Sequence, residues 1–433
     1  MSKPNELGLP HDEWQPYQST GVNELVRAYE EGRTLFLIAP TGAGKTAMAL
    51  GAARTLHTTG LFVVGTKELQ RQYERLYGCF PCYGRANFNC IETSESAVWC
   101  ASCEGVDCEY STQKKAAMGA QEAVINYAVY AWMQGFPQDF VVFDEGDIAA
   151  TTIMSSMTIE QPGLLNWQMM ESAIEKHGNP NQINMFKRAR RQEWELKHVP
   201  GSRPKTVLRP TTFQRTGEIS AVMSATMVPA LVAEELKIRE YKVVELPSSI
   251  NSERRPVYIR PLAKVGRKLD EEGWEKFFQG VDKTIQECFH YGQGIIHSVS
   301  YDLAERTLGQ SQFAAFMTKD IASFRAGDFP ILISPTVGRG VDFADEQARW
   351  QVILKVPFGD LSDPDVKREA SENRKVYELR AYQSVMQMVG RVTRHMEDWG
   401  VTVIVDANFN WLHSRHKEEA PHWFREAVKW IAK

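Results

Sequence analysis

Residues 35–46 read Leu35-Phe36-Leu37-Ile38-Ala39-Pro40-Thr41-Gly42-Ala43-Gly44-Lys45-Thr46, an apolar strand running into a glycine turn that opens a helix. Gly42 and Gly44 let successive backbone N–H groups turn inward onto phosphate oxygens, and the helix N-terminus behind them adds its partial positive charge. Lys45 then reaches the β and γ phosphates, and the Thr46 hydroxyl ligates Mg2+. Ala39 stands where the general phosphate-loop pattern has a glycine, so the match is to A-x-T-G-x-G-K-T. Thr41, Gly42, Ala43, Gly44, Lys45 and Thr46 are therefore the expected cradle for ATP with Mg2+. A Gly-Lys-Thr turn can also be an ordinary surface loop; the strand before it and the helix after it separate this one from that case.

The strand–turn–helix unit repeats outward from this point. Leu61–Gly65, Phe140–Phe143 and Ile219–Met223 read as strands in the first half, and Gly294–His297, Pro330–Ile333, Val352–Lys355 and Val401–Val405 in the second. Strands alternating with helical patterns imply parallel sheets covered by helices. A polar stretch from Pro247 through Arg254, Arg255 and Pro256 separates the two series, so two α/β layers are expected, one on each side of residue 250. Between the first-half strands lie two insertions, a cysteine-rich window and a piece near 149–218 with helix-like spacing of Leu164, Leu165, Met169 and Ile174. The aromatic C-terminus (Trp411, Trp423, Phe424, Trp430) reads as a packed helix.

At 433 residues with 43% hydrophobic content, the chain has material for two to four domains with substantial cores. Its start is polar, with no signal-peptide core, and no apolar run approaches membrane-spanning length, so a cytoplasmic protein without a membrane partner is expected. The net charge of −4 excludes a surface that is basic throughout, but not a local basic groove. The segment Lys187–Arg215, with Lys187, Arg188, Arg190, Arg191, Lys197, Arg203, Lys205, Arg209 and Arg215, is either such a strand-binding face or a solvated helix and loop.

Asp144-Glu145-Gly146-Asp147 follows the strand Phe140–Phe143, so two carboxylates emerge at a strand's C-terminal end, where open α/β sheets bind ligands. Asp144 is expected to hold Mg2+ through its water shell, and Glu145 to orient and deprotonate the attacking water. Gln387-Met388-Val389-Gly390-Arg391-Val392-Thr393-Arg394 supplies an amide for that water or for the γ phosphate. Its two guanidinium groups, three residues apart, are expected on one side of a helix as arginine-finger candidates.

These blocks together resemble a superfamily 2 DNA helicase of the XPD/DinG-type iron–sulfur (Rad3-like) branch. Pro16-Tyr17-Gln18 resembles the adenine-reading Q motif, and Thr66-Lys67-Glu68-Leu69-Gln70-Arg71-Gln72 the T-x-x-L-x-x-Q strand-binding element. Met223-Ser224-Ala225-Thr226 is similar to the S-A-T segment, and His297–Tyr301, Gly338–Phe343 and Lys355–Phe358 ahead of Asp363-Pro364 resemble later family blocks. The resemblance implies that Gln18, Gly340 and Asp342 join the nucleotide site and that Thr66, Gln72, Ser300 and Thr336 contact nucleic acid. Gly146 and Asp147 depart from the family's D-E-A-H, Arg339 stands where an acidic residue is frequent, and the insertion before S-A-T is short for the family's arch.

Six of the seven cysteines lie between Cys79 and Cys108; without a secretory signal this clustering points to metal rather than disulfides. Cys288 stands apart as a buried apolar side chain. By spacing, Cys79-x2-Cys82 with Cys100-x2-Cys103 fits zinc; the alternative that the resemblance implies is a 4Fe–4S cluster on Cys90, Cys100, Cys103 and Cys108. The family resemblance favours the cluster, because Gly84–Cys90 is similar to its G-R-x-N-Y-x-C entry and Cys108-Glu109-Tyr110 leads on to Asn126-Tyr127 as the family does.

The expected architecture is thus two RecA-like motor domains. Residues 1–78, 109–148 and 219–247 make the first, with a cluster insertion at 79–108 and a small helical arch-like insertion at 149–218; residues 248–433 make the second. The resemblance implies a monomer that travels 5′ to 3′ on single-stranded DNA and unwinds tailed or forked duplexes. The competing readings are a nucleic-acid-stimulated translocase that remodels complexes without unwinding, and a scaffold with a vestigial nucleotide site.

Overall fold

The computed structural model describes all residues except 1, 92–93, 95, 100–107, 133–134, 190–193, 200–203, 214–216, 267, 336–342, 344 and 432–433. It divides into two units. Met1–Leu37, Gly44–Ser224 and Val232–Val244 form the first; Ile38–Ala43, Ala225–Leu231 and Glu245–Lys433 form the second.

The first unit runs α1 (Gln18–Glu30), β1 (Thr34–Ile38), α2 (Lys45–Thr55), β2 (Gly60–Val64), α3 (Lys67–Tyr77), β3 (Phe80–Cys82), α4 (Glu109–Gly119), β4 (Glu122–Asn126), α5 (Tyr127–Trp132) and β5 (Phe140–Asp144). An insertion follows, with α6 (Ala149–Ser156), β6 (Ile159–Pro162), α7 (Trp167–His177), α8 (Pro180–Ala189), β7 (Trp194–Val199) and β8 (Lys205–Pro210). The chain then returns through β9 (Ala221–Ser224), α9 (Pro229–Glu235) and β10 (Tyr241–Glu245). Strand order is β10-β1-β9-β5-β2-β4-β3. β2 pairs in parallel with both β4 and β5, and β5 with β9, in a register that sets Asp144 beside Met223. β1, β2 and β9 are continuous apolar runs and are buried almost end to end, as strands with both faces covered must be. β3, at the sheet edge, draws Phe80–Cys82 out of the cysteine window and pairs with β4.

The insertion at 149–218 is mixed rather than helical. β6, β8 and β7 form a three-stranded antiparallel sheet packed, with α7 and α8, on Ile159, Met170, Ile174, Met185, Phe186 and Leu208. Trp194 and Leu196 pack on this core two residues apart, a strand period that a search for helical spacing passes over. Leu164 and Met169, part of the helical pattern in the sequence, are exposed. Lys205 and Arg209 of the basic segment pair with Glu160 (2.6 Å) and Glu195 (2.6 Å), which neutralises part of it; Arg190, Arg191, Arg203 and Arg215 lie outside the described residues.

The second unit contains β11 (Val257–Ala263), α10 (Glu271–Cys288), β12 (Gly294–His297), α11 (Tyr301–Gln310), β13 (Met317–Thr318), α12 (Ile321–Ala326), β14 (Ile331–Ser334), β15 (Trp350–Ile353), α13 (Pro364–Glu372), α14 (Arg374–Val389), β16 (Val401–Asp406), α15 (Asn408–His416), α16 (His422–Ala427) and β17 (Val428–Trp430). The order is β13-β14-β12-β15-β16-β11-β17, and neighbouring strands pair in parallel. Side chains alternate across this sheet. Val257, Ile259, Ile353 and Ile404 pack with Leu379, Tyr382, Phe409 and Phe424, whereas Val352, Leu354, Val403 and Val405 pack on the other face with Phe277, Phe278 and Val281 of α10. Trp411, Trp423 and Phe424 are packed as expected, but Trp430 sits on the edge strand and is exposed. Cys288 is buried.

Candidate nucleotide site

β1 leads into the loop in which Gly42 (φ 79°) and Gly44 (φ 75°) both take the left-handed backbone that side-chain-bearing residues avoid. Gly44 caps α2, so the first N–H groups of that helix open onto the loop. A Cβ on Gly44 would fall 2.2 Å from Gln18 Nε2. Gln18, at the start of α1, is therefore packed against the phosphate loop, and its Oε1 accepts from the Gln15 backbone N–H (2.9 Å). Tyr17, just before it, is exposed and also left-handed (φ 68°).

Asp144 ends β5 and is buried, 2% exposed. Burial raises its pKa above the ordinary carboxylate value, opposed by the Lys45 ammonium and by a hydrogen bond from Tyr73. The Tyr73 hydroxyl donates to Asp144 Oδ2 (3.0 Å), the Glu145 N–H to Oδ1 (3.0 Å), and the Tyr127 hydroxyl to the Asp144 carbonyl (2.8 Å). Tyr73 also shares a hydrogen bond with the Thr46 side chain. Lys45, Thr46 and Asp144 are thus brought into one neighbourhood, and a hydroxyl beside a carboxylate is the hard oxygen donor set that suits Mg2+. Glu145 follows in a left-handed conformation (φ 55°), with its Oε2 2.5 Å from where a Cβ on Gly65 would stand.

Gly146 has a packing reason for departing from D-E-A-H. A Cβ there would lie 2.3 Å from Val222 Cγ1 on β9, so this chain has no room for the alanine. Asp147 is buried.

The second unit holds the predicted cations. Gln387 is on the last turn of α14, but the helix ends at Val389, so Arg391 and Arg394 lie beyond it rather than on one helical face. The Arg394 N–H donates to Asp398 Oδ2 (2.8 Å) across a turn, which replaces the helical pairing. Asp398, buried, also accepts from Arg349 Nη1 (2.7 Å) and so fixes the backbone that carries Arg394. Arg391 lies close enough to buried His297 to help, after burial itself, to hold that imidazole neutral with a pKa of about 4.

Two of the predicted nucleic-acid contacts are helix caps. Thr66 Oγ1 accepts from the Leu69 N–H (3.1 Å) at the start of α3, and Ser300 Oγ from the Leu303 N–H (3.2 Å) at the start of α11. Gln72 is exposed on α3. Thr336, Gly340 and Asp342 lie outside the described residues, as do Cys100 and Cys103. Of the other cysteines, Cys108 caps α4: its Sγ accepts from the Ser111 N–H (3.4 Å), which lowers the thiol's pKa and favours the thiolate a metal needs. Cys90 is buried. Cys79, just before β3, and Cys82, at its end, are both buried, and burial pushes both thiols up, Cys82 to about 11.

Tyr73 and Asp398 escaped the sequence reading, as did the contact of Tyr127 with Asp144. Each lies outside the recognised blocks or at their margins, and only the fold reveals what its polar tip meets.

Residues 296–427 match the family model described as "Helicase C-terminal domain", and residues 11–117 the one described as "Type III restriction enzyme, res subunit". The chain is similar to the "Fanconi anemia group J protein homolog" of Gallus gallus, 31% identical over 105 residues, 22% of this chain and 8% of that protein. It is also similar to the "Regulator of telomere elongation helicase 1 homolog" of Anopheles gambiae, 26% identical over 211 residues, 41% of this chain and 21% of that one. The aligned stretches thus span about a fifth or less of these relatives' length. Among solved structures, "XPD_Helicase" has a TM-score of 0.67 at 14% identity, covering 97% of this chain and 100% of its own, and "XPD_APO" a TM-score of 0.66 at 13% identity, covering 96% and 100%. At such identities the likeness is one of fold.

Proposed function

We propose that this chain, an XPD/Rad3-like protein of superfamily 2, is an ATP-dependent DNA helicase that moves 5′ to 3′ on single-stranded DNA and unwinds tailed or forked duplexes. The observation that carries the reading is the junction of Lys45, Thr46 and Asp144, with Tyr73 hydrogen-bonded to the last two. Lys45 binds the β and γ phosphates, Thr46 and Asp144 hold Mg2+, and Glu145 orients the attacking water and takes its proton. Bound Mg2+ supplies neutralisation of phosphate charge. Gln387 contributes an amide to the water or the γ phosphate, and Arg391 and Arg394 stabilise the transferring phosphoryl group. Gln18, Thr41, Gly42, Ala43, Gly44, Gly340 and Asp342 complete the nucleotide contacts, and Thr66, Gln72, Ser300 and Thr336 touch the strand.

Cys90, Cys100, Cys103 and Cys108 hold a 4Fe–4S cluster in a wedge that splits the duplex. The helix-capping Sγ of Cys108, which accepts from the Ser111 N–H, supports this choice; Cys79 and Cys82 with Cys100 and Cys103 are the zinc alternative. The protein acts as a cytoplasmic monomer; among the described residues no helix is long and apolar enough to cross a membrane.

Strand displacement by anaerobically purified protein on duplexes with a single-stranded 5′ or 3′ tail tests the proposal. Unwinding of the 5′-tailed duplex alone is expected. The small size of the 149–218 insertion favours one alternative, a translocase that hydrolyses ATP on single strands without unwinding, and ATPase stimulation with neither duplex opened would establish it.

A further inference from the structure

Tyr73 touches both proposed Mg2+ ligands from a helix that belongs to a different motif. It lies on α3, capped by Thr66, and its side chain is fully buried, packed on Phe62 (ring centroids 5.3 Å apart) and Tyr77 (6.5 Å). Its hydroxyl donates to Asp144 Oδ2 at 3.0 Å and hydrogen-bonds the Thr46 side chain. The proton inventory fixes the directions: the one phenolic proton goes to the carboxylate, so the Thr46 hydroxyl donates to the Tyr73 oxygen. That arrangement leaves the Thr46 lone pairs for a cation and pins one carboxylate oxygen of Asp144, while the Glu145 N–H pins the other.

α3 is also anchored one turn earlier. Gln70, buried, donates through Nε2 to the carbonyls of Cys82 (3.0 Å) and Val124 (3.2 Å), and its Oε1 accepts from Asn126 Nδ2 (3.3 Å). Gln70 and Tyr73 are three residues apart and share a helical face. A displacement of α3 along the sheet therefore shifts the Tyr73 hydroxyl against Asp144 and Thr46 together.

We infer that Tyr73 is a positioning residue that orients Asp144 and Thr46 for the metal–nucleotide complex and ties their geometry to α3, the helix that begins at the strand-contacting Thr66. The inference rests on the proposed function for the strand contact and for Mg2+ itself. Partners that orient metal ligands typically contribute about tenfold or more to metal affinity. Strand binding at the start of α3 thus adjusts metal–nucleotide affinity through one hydroxyl.

Tyr73→Phe removes that hydroxyl and keeps the buried ring. Two readouts on the full-length protein decide the matter: Mn2+ binding in the presence of ADP, followed by loss of the free-ion electron paramagnetic resonance signal, and the Mg2+ concentration that half-saturates ATPase activity with and without single-stranded DNA. The variant should bind Mn2+ about tenfold more weakly, need correspondingly more Mg2+, recover wild-type turnover within about twofold at saturating Mg2+, and lose most of the strand-induced gain in Mg2+ affinity. Unchanged Mn2+ and Mg2+ dependence overturns the inference, whatever happens to thermal stability. A wild type whose ATPase ignores single strands ends the helicase reading and the coupling to α3, while the Mn2+ titration, which needs no DNA, still decides the positioning role.

Discussion

Lys45 lies close enough to Asp144 for its ammonium to oppose the upward shift of that carboxyl, and both belong to the proposed nucleotide site. Lys45→Ala should abolish ATP turnover, measured as phosphate release, and undiminished hydrolysis would refute the site. Gly44→Ala tests the cradle's geometry: a left-handed φ of 75° strains any residue with a Cβ, and that Cβ would displace the Gln18 amide 2.2 Å away. It should lose nucleotide binding, read by titration with a fluorescent ADP analogue, while the sheet keeps its circular dichroism. At Asp398 the expectation is thermodynamic. Removing this buried carboxylate takes one partner from Arg349, which keeps Glu346 and the Trp399 carbonyl, and frees the Arg394 backbone N–H, so Asp398→Ala should cost about 1–3 kcal/mol in urea unfolding. The placement of Lys45, Thr46, Asp144 and Glu145 was legible because each lies at a fixed offset from a strand end. That of Tyr73 and Asp398 was not, since their partners lie 71 and 49 residues away in the chain.

α3 and the β5 turn show how elements translate sequence into position. Thr66 caps α3 and Gly78 closes it in the left-handed conformation, so Thr66→Ala should destabilise by about 1 kcal/mol in chemical denaturation and also weaken single-strand affinity. If only stability changes, Thr66 is a cap and nothing more. Restoring the family's alanine at Gly146 should harm rather than help, because its Cβ meets Val222; overpacking of this kind costs about 1–3 kcal/mol, visible as a lower Tm. The central strands β1, β2, β5 and β9 of the first sheet and β12, β14, β15 and β16 of the second were readable as apolar runs bounded by turns, whereas β3, β4, β10, β11, β13 and β17, shorter or more polar, were not. Two element-level expectations failed for local reasons. Arg391 and Arg394 are spaced as if on a helix, yet a buried aspartate captures the Arg394 N–H after α14 has ended. The 149–218 insertion carries short strands whose two-residue period is hidden among helical spacings.

At the scale of the whole molecule, two buried histidines predict acid sensitivity. His297 and His413 both have pKa values pushed down to about 4 by burial. Between the ordinary value near 6.5 and about 4, the unfolded chain binds protons at these positions that the folded chain refuses, so stability falls as pH drops through that window. For fully buried His297 the loss is about 3 kcal/mol. Urea unfolding at pH 7 and pH 4.5 should therefore show a smaller acid-induced drop for His297→Gln than for the parent; an equal drop would place the sensitivity elsewhere. By itself the sequence determined two parallel α/β layers, the phosphate loop and the carboxylate pair, because strand ends, glycine turns and apolar runs are local and periodic. Only the tertiary structure decided that Gly146 must be small, that Arg394 is held by Asp398, and that Tyr73 reaches the proposed Mg2+ ligands. The first and last depend on residues more than 70 positions apart meeting in a close-packed interior, and the Arg394 contact on a turn whose carboxylate is buried against Arg349, where van der Waals overlap and unmet hydrogen bonds set the cost.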